Sequence, residues 1–197
     1  MHHKEHGRAA NTGCLLAPCL GASLHVAGVA SDEAALAAAI AAAGDGGAAV
    51  LWPSADALSV DQLRAATSPA TWARGLTLIA IDATWGSARK MHKRVPGHLP
   101  RVALPPAAFA PGRSLLFPVR RYVGPCAERY CTYEAALALL DALGCLAEGE
   151  REALTLNLKL KVDALLAHKN RRAAYGDVTR EPLAAAREAL LAELRTA

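Results

Sequence analysis

The chain has 197 residues, of which 53% are hydrophobic and only 5% aromatic, with a formal net charge of +4. That length suits one domain with a sizeable core built mainly from Leu, Val and Ala, so a single domain is expected over 1–197. No run approaches the ~20 apolar residues of a membrane span and the N-terminus is polar, which argues against a membrane span or signal peptide and makes the cytoplasm the expected location.

In chain order, Asn11-Thr12-Gly13 predicts a short helix reaching Leu20, with Asn11 or Thr12 as its cap. Residues 23–29 read as a short strand. Ser31-Asp32-Glu33 opens an Ala-rich helix to about Ala43, ended by Gly44-Asp45-Gly46-Gly47. Residues 48–52 form a buried strand stopped by Pro53. Residues 76–82 are the clearest strand, ending on Asp82, and a helix is expected over 85–94. Short strands follow at 101–104 and 115–119, separated by a loop rich in Pro, Gly and Ala. Amphipathic helices are predicted over 132–143, 150–168 and 181–194. Strands alternating with helices mean an α/β domain with a mostly parallel sheet, whose ligands gather at the carboxyl ends of the strands. Asp82 and Pro53-Ser54 stand at two such ends.

Five cysteines (Cys14, Cys19, Cys126, Cys131 and Cys145) are an odd number in a chain without an export signal. Cys14/Cys19 and Cys126/Cys131 are each five apart, wider than the ligand pairs of structural zinc sites. They read as core or near-core thiols, and no metal is expected. Gly44-Asp45-Gly46-Gly47 precedes a strand and lacks Lys-Ser/Thr, which excludes a phosphate-binding loop.

Charge is unevenly distributed. Between Ala83 and Ala127 there is no acidic residue, yet this stretch holds Arg89, Lys90, Lys93, Arg94, Arg101, Arg113, Arg120 and Arg121. With these eight of the 22 Lys and Arg set aside, the remaining 14 are outnumbered by the 18 Asp and Glu. Arg89/Lys93 and Lys90/Arg94 are i,i+4 pairs that repel on a helix unless an anion offsets them. A polyanion such as RNA supplies that offset, and a solvated basic face is the plainer alternative. A second cluster, Lys159, Lys161, Lys169, Arg171 and Arg172, reads first as a solvated face.

Asp82-Ala83-Thr84-Trp85 matches D-x-T-W and continues as Gly86-Ser87-Ala88-Arg89-Lys90. Four further segments accompany it in order. Glu5 through Gly13 spells E-x-x-R-x-x-N-T-G, Leu51-Trp52-Pro53-Ser54 resembles L-Y-P-S, Arg120 follows a short predicted strand, and Cys131-Thr132-Tyr133-Glu134-Ala135 resembles S-T-L-E-A. Together, over residues 2–145, they resemble the DTW-domain family of aminocarboxypropyltransferases.

That resemblance implies a SPOUT-like α/β fold with a C-terminal backbone knot, with S-adenosylmethionine as co-substrate and tRNA as partner. It implies transfer of the 3-amino-3-carboxypropyl group to uridine N3. By position, Thr12, Gly13, Pro53, Ser54, Ala83, Thr84, Val102, Cys131 and Ala135 would line the cofactor pocket. Asp82 and Trp85 would stand at the reaction centre, and Arg89, Lys90, Lys93, Arg94, Arg120 and Arg121 would meet RNA. A sulfonium activates all three attached carbons, so such an enzyme chooses its product by choosing which carbon faces the nucleophile. Trp85 and Val102 suit the methyl side. Asp82 suits either a base toward the imide or a partner for the ammonium, and is otherwise an ordinary strand-end Asp. An RNA methyltransferase and a non-catalytic RNA-binding protein are the competing functions.

Departures from the family pattern stand out. Cys131 replaces the serine of S-T-L-E-A, which leaves Thr132 to cap the following helix alone and removes a hydroxyl from the pocket. Relatives also carry a cysteine-rich stretch and a first strand upstream of E-x-x-R, and a proline where His3 stands. The expectation is that either this lineage dispenses with the upstream piece or an extension, if encoded, would supply that strand and zinc-binding cysteines.

Overall fold

The structure, a computed structural model, describes residues 1–104, 108, 114–119 and 130–176. Helix α1 (Leu16–Leu20) continues a 3-10 turn over Gly13–Leu15, and helix α2 spans Ala30–Ala43. Strand β1 (Ala48–Leu51) is followed by α3 (Val60–Ala66), α4 (Pro69–Arg74) and strand β2 (Thr77–Ala80). Helix α5 (Trp85–His92), strand β3 (Arg101–Val102), α6 (Thr132–Ala142) and α7 (Glu150–His168) follow. The strands form a parallel sheet in the order β2-β1-β3, with Val50 opposite both Ile79 and Arg101. This is a small parallel α/β arrangement flanked by helices.

Strand alternation sorts the core into two faces. Ala49 points with Val102 toward Val60 and Leu63 of α3 and toward Leu139 and Leu143 at the end of α6. Ala48 and Val50 point the other way with Ile79 and Ile81, against Leu99, Ile40 and Ala43. Burial on both faces explains why β1 reads as an unbroken apolar run. A third cluster joins α6 to α7 through Tyr133, Leu137, Leu158, Val162 and Leu166.

Several sequence expectations are corrected. Residues 23–29 form no strand beyond an isolated bridge between His2 and Ala27. The amides of Val26 and Gly28 donate to the Asp32 and Glu33 carboxylates at 2.7 and 2.8 Å, so the first turn of α2 takes donors that a strand needs. Residues 115–119 are turns: the Phe117 and Val119 amides donate to the Ser114 and Leu116 carbonyls, and Pro118 has no amide hydrogen to offer a ladder. Helix α6 is capped from Cys131, whose amide donates to Glu134 Oε2 at 3.0 Å. Thr132 is therefore not the cap, because the acid closes the helix end through the Cys131 backbone, which needs no hydroxyl.

Helices α3 and α4 lie within residues that carried no element prediction. Their start signals were present: Ser59 and Gln62 form a reciprocal capping box, and Ser68 caps α4 with Pro69 in its first turn. The predicted 181–194 helix lies outside the described residues.

Candidate functional site

A cavity of about 270 Å³ opens at the carboxyl ends of the three strands. Leu51 to Pro53 after β1, Ala80 and Ile81 at the end of β2, and Ala103 and Leu104 after β3 form its floor. Ala83, Trp85 and Ala88 wall one side from the start of α5, while Tyr130, Cys131, Thr132 and Ala135 close the other from the start of α6. The volume lies near the small end of the range for small-molecule sites.

Of the residues singled out by sequence, Pro53, Ala83, Trp85, Cys131 and Ala135 are brought together around this space. Val102 has no exposed surface. Alternation turns its side chain into the core, and its carbonyl accepts the Trp52 amide at 3.0 Å while Ala103 and Leu104 face the cavity. Thr84 caps α5 by position and is exposed, its hydroxyl 3.3 Å from that of Ser87. Ser54 is half-buried, its amide donating to the Trp52 carbonyl.

Asp82 sits just behind the cavity and is not among the residues lining it. Its Oδ1 accepts a 2.8 Å hydrogen bond from the Thr132 hydroxyl. Its Oδ2 is buried with no hydrogen-bond partner among the described residues. The carboxylate lies over Gly13 so closely that a β-carbon there would fall 2.5 Å from Cγ and 2.8 Å from each oxygen. Only glycine leaves that room. Thr12 and Asn11 are buried beside it, and so is the Cys131 thiol. Burial pushes that thiol far above its ordinary range, with the Glu134 carboxylate adding to the effect, so Cys131 stays a neutral thiol.

The other segments of the same pattern are tied down structurally. Glu5 is buried and pairs with Arg8 at 2.9 Å, while the Asn11 side-chain amide donates to the Glu5 carbonyl. Asn11 also receives the Cys14 amide at 3.3 Å, which holds the entry to the 13–15 turn. Glu134 accepts from the Leu115 amide at 2.8 Å and from the Ser114 hydroxyl, anchoring the 114–116 turn to α6.

Helix α5 starts at the cavity and ends in the basic cluster. Arg89, Lys90, Lys93 and Arg94 are all exposed. None of them forms a salt bridge among the described residues. Cations in the last turn also complement the helix dipole, which gives them a structural reason to be there. Arg101 is different: its guanidinium donates to the Pro96, Gly97 and Leu99 carbonyls and to His92 Nε2. It closes the 95–100 loop instead of facing solvent. His92 in turn stacks on Trp52 with ring centroids 4.4 Å apart and 9° between planes. Burial and the neighbouring Arg101 charge lower its pKa below 6.5. Arg120 and Arg121 lie outside the described residues.

Sequence reasoning passed over Trp52, Tyr130 and Thr132 as cavity residues. Trp52 and Thr132 sit inside segments already picked out, one step from residues that were named. Among the described residues no group of three or more His, Cys, Asp and Glu side chains is placed to hold a metal ion, and no helix is long and apolar enough to cross a membrane. A family model described as the DTW domain matches residues 1–166. No curated protein and no solved structure matches the chain.

Proposed function

Because the chain belongs to the DTW-domain family of tRNA-modifying enzymes, we propose that it transfers the 3-amino-3-carboxypropyl group of S-adenosylmethionine to N3 of a uridine in tRNA, releasing methylthioadenosine. The observation that carries this reading is a convergence. Three segments far apart in sequence, 51–53, 83–88 and 130–135, meet around one cavity at the strand ends, and each overlaps a segment that resembles a family motif. A SPOUT-like arrangement is part of the proposal.

The residues around the cavity fit that co-substrate chemically. Ala83, Trp85, Ala88 and Leu104 make an apolar wall suited to burying a methyl group, which leaves the amino-acid arm as the reachable electrophile. Pro53, Ala83, Cys131 and Ala135 border the space directly, and Ser54 lies beside it. Thr12, Gly13, Thr84 and Val102 contribute through backbone and packing. Asp82, standing behind the cavity, supplies negative charge toward the reaction centre from there. Arg89, Lys90, Lys93 and Arg94, with Arg120 and Arg121, take the RNA phosphates, so that the tRNA backbone crosses the end of α5 while the uridine enters the cavity.

The test is mass spectrometry of nucleosides from tRNA incubated with the protein and S-adenosylmethionine. The expected products are aminocarboxypropyl-uridine and methylthioadenosine in equal amounts. A methylated base with S-adenosylhomocysteine would replace this reading with a methyltransferase, and tRNA binding without any product would leave a binding protein.

A further inference from the structure

Asp82 does not border the cavity, yet it is connected to it through one side chain. Thr132 lines the cavity, and its hydroxyl lies 2.8 Å from Asp82 Oδ1. A carboxylate only accepts, so the hydroxyl hydrogen points at Asp82 and the threonine oxygen keeps its lone pairs for another donor. The second carboxylate oxygen is buried without a hydrogen-bond partner among the described residues, and Gly13 packs against the whole carboxylate, equally close to both oxygens. Among the described residues, Oδ1 through Thr132 is thus the connection between the carboxylate and the cavity.

We propose that Thr132 is the catalytic residue that meets the uridine imide and relays its proton to Asp82, which acts from behind as the final acceptor. The inference rests on the aminocarboxypropyl reading above. In the step, the N3–H bond breaks and its proton passes to the Thr132 oxygen, whose own proton passes to Asp82 Oδ1. The N3 electron pair forms the bond to the terminal carbon of the aminocarboxypropyl arm. The carbon–sulfur bond breaks and its pair returns to sulfur, turning the sulfonium into a neutral thioether as the carboxylate becomes a neutral acid. Charge and protons balance without a further reactant. The hydroxyl is what matters in this arrangement, so serine should substitute and valine, of the same shape, should not.

The experiment compares single-turnover transfer to unmodified tRNA for the wild type, T132V, T132S, D82N and the T132V/D82N double variant. Melting temperature and S-adenosylmethionine affinity, followed by tryptophan fluorescence, are measured on each. T132V and D82N are each expected to lose ~10²-fold or more in rate. The double variant should lose no more than the worse single one, because the two groups act in one chain. T132S should keep most of the rate, with affinity and melting temperature near the wild type throughout. If T132V melts early, T132A removes the same hydroxyl with less bulk. Wild-type rate in T132V beside an inactive D82N, equal loss in T132V and T132S, or additive losses in the double variant would each overturn the relay. A wild-type protein that forms no aminocarboxypropyl-uridine overturns the underlying reading instead, and the relay with it.

Discussion

Gly13 and Asp82 are 69 positions apart in the sequence, yet the second leaves no room for a side chain on the first. Gly13→Ala must push the carboxylate away by breaking its bond to Thr132 or by shifting the 13–15 turn. The expected cost is ~1–3 kcal/mol of stability, as for other overpacked interiors, together with a larger loss of activity than the stability change explains. Denaturant unfolding and turnover measured side by side check this, and an active, fully stable variant would mean the carboxylate has somewhere else to go. The cysteines give a second comparison at this scale. Cys131 is buried with its thiol pushed upward, whereas Cys145 is exposed after α6. Iodoacetamide at neutral pH should label Cys145 long before Cys131, read by peptide mass spectrometry. The exposed position of Cys145 departs from the expectation that all the thiols lie in or near the core.

Two elements depend on contacts that can be tested without a substrate. Helix α2 ends at Gly44, whose φ of +70° favours glycine, and the chain turns so sharply into β1 that a β-carbon on Gly47 would clash with the Ala43 carbonyl oxygen. Gly47→Ala should therefore destabilise by at least ~1–3 kcal/mol, while Gly86→Ala, which has open space around it, should change stability little. Urea unfolding of the pair provides the check. At the other end of the sheet, Arg101 donates to His92 Nε2, which must be unprotonated to accept. The folded pKa of His92 is lowered below its ordinary 6.5 by burial and by Arg101. Above the unfolded pKa the contact costs nothing to keep. As pH falls from 6.5 toward the lower folded value, the unfolded chain binds the proton first and stability is lost. Melting temperatures taken from about pH 7.5 to about pH 5 should fall more steeply for the wild type than for His92→Phe, which keeps the ring but cannot titrate. Parallel curves would remove His92 as the group responsible.

For the whole molecule, the relevant quantity is where the charge sits relative to the cavity. The cavity marks the start of α5 and the exposed Arg89, Lys90, Lys93 and Arg94 mark its end and the residues just after it, about two turns apart. Arg89→Ala and Lys93→Ala should each weaken tRNA binding and reduce the salt dependence by about one phosphate contact. Filter binding over a salt series measures this. Affinity that does not change with salt would show that the basic stretch serves α5 alone. Arg101→Ala serves as the contrast: its guanidinium is already engaged with the 95–99 loop, so it should lower stability and leave the salt slope intact.

The D-x-T-W segment, the apolar run of β1 and the acid-free stretch after Asp82 were all legible by reading along the chain. Each is a local pattern: a motif, a buried strand, a charge count. Period and capping alone also placed α2, α5, α6 and α7 within a few residues. The pairing of Thr132 with Asp82 was not legible, because the two are brought within hydrogen-bond reach only when α6 starts beside the end of β2. Val102 turning inward, Arg101 folding back on its own loop and residues 115–119 leaving the sheet have the same origin. Each side chain or amide found a partner distant in sequence or across a turn that outcompeted its local preference. Sequence identified the motifs and residue types available to this protein. The tertiary structure decided which groups face the cavity and which stand behind it, because burial and hydrogen-bond reach depend on neighbours that are assembled only when the sheet and its helices pack.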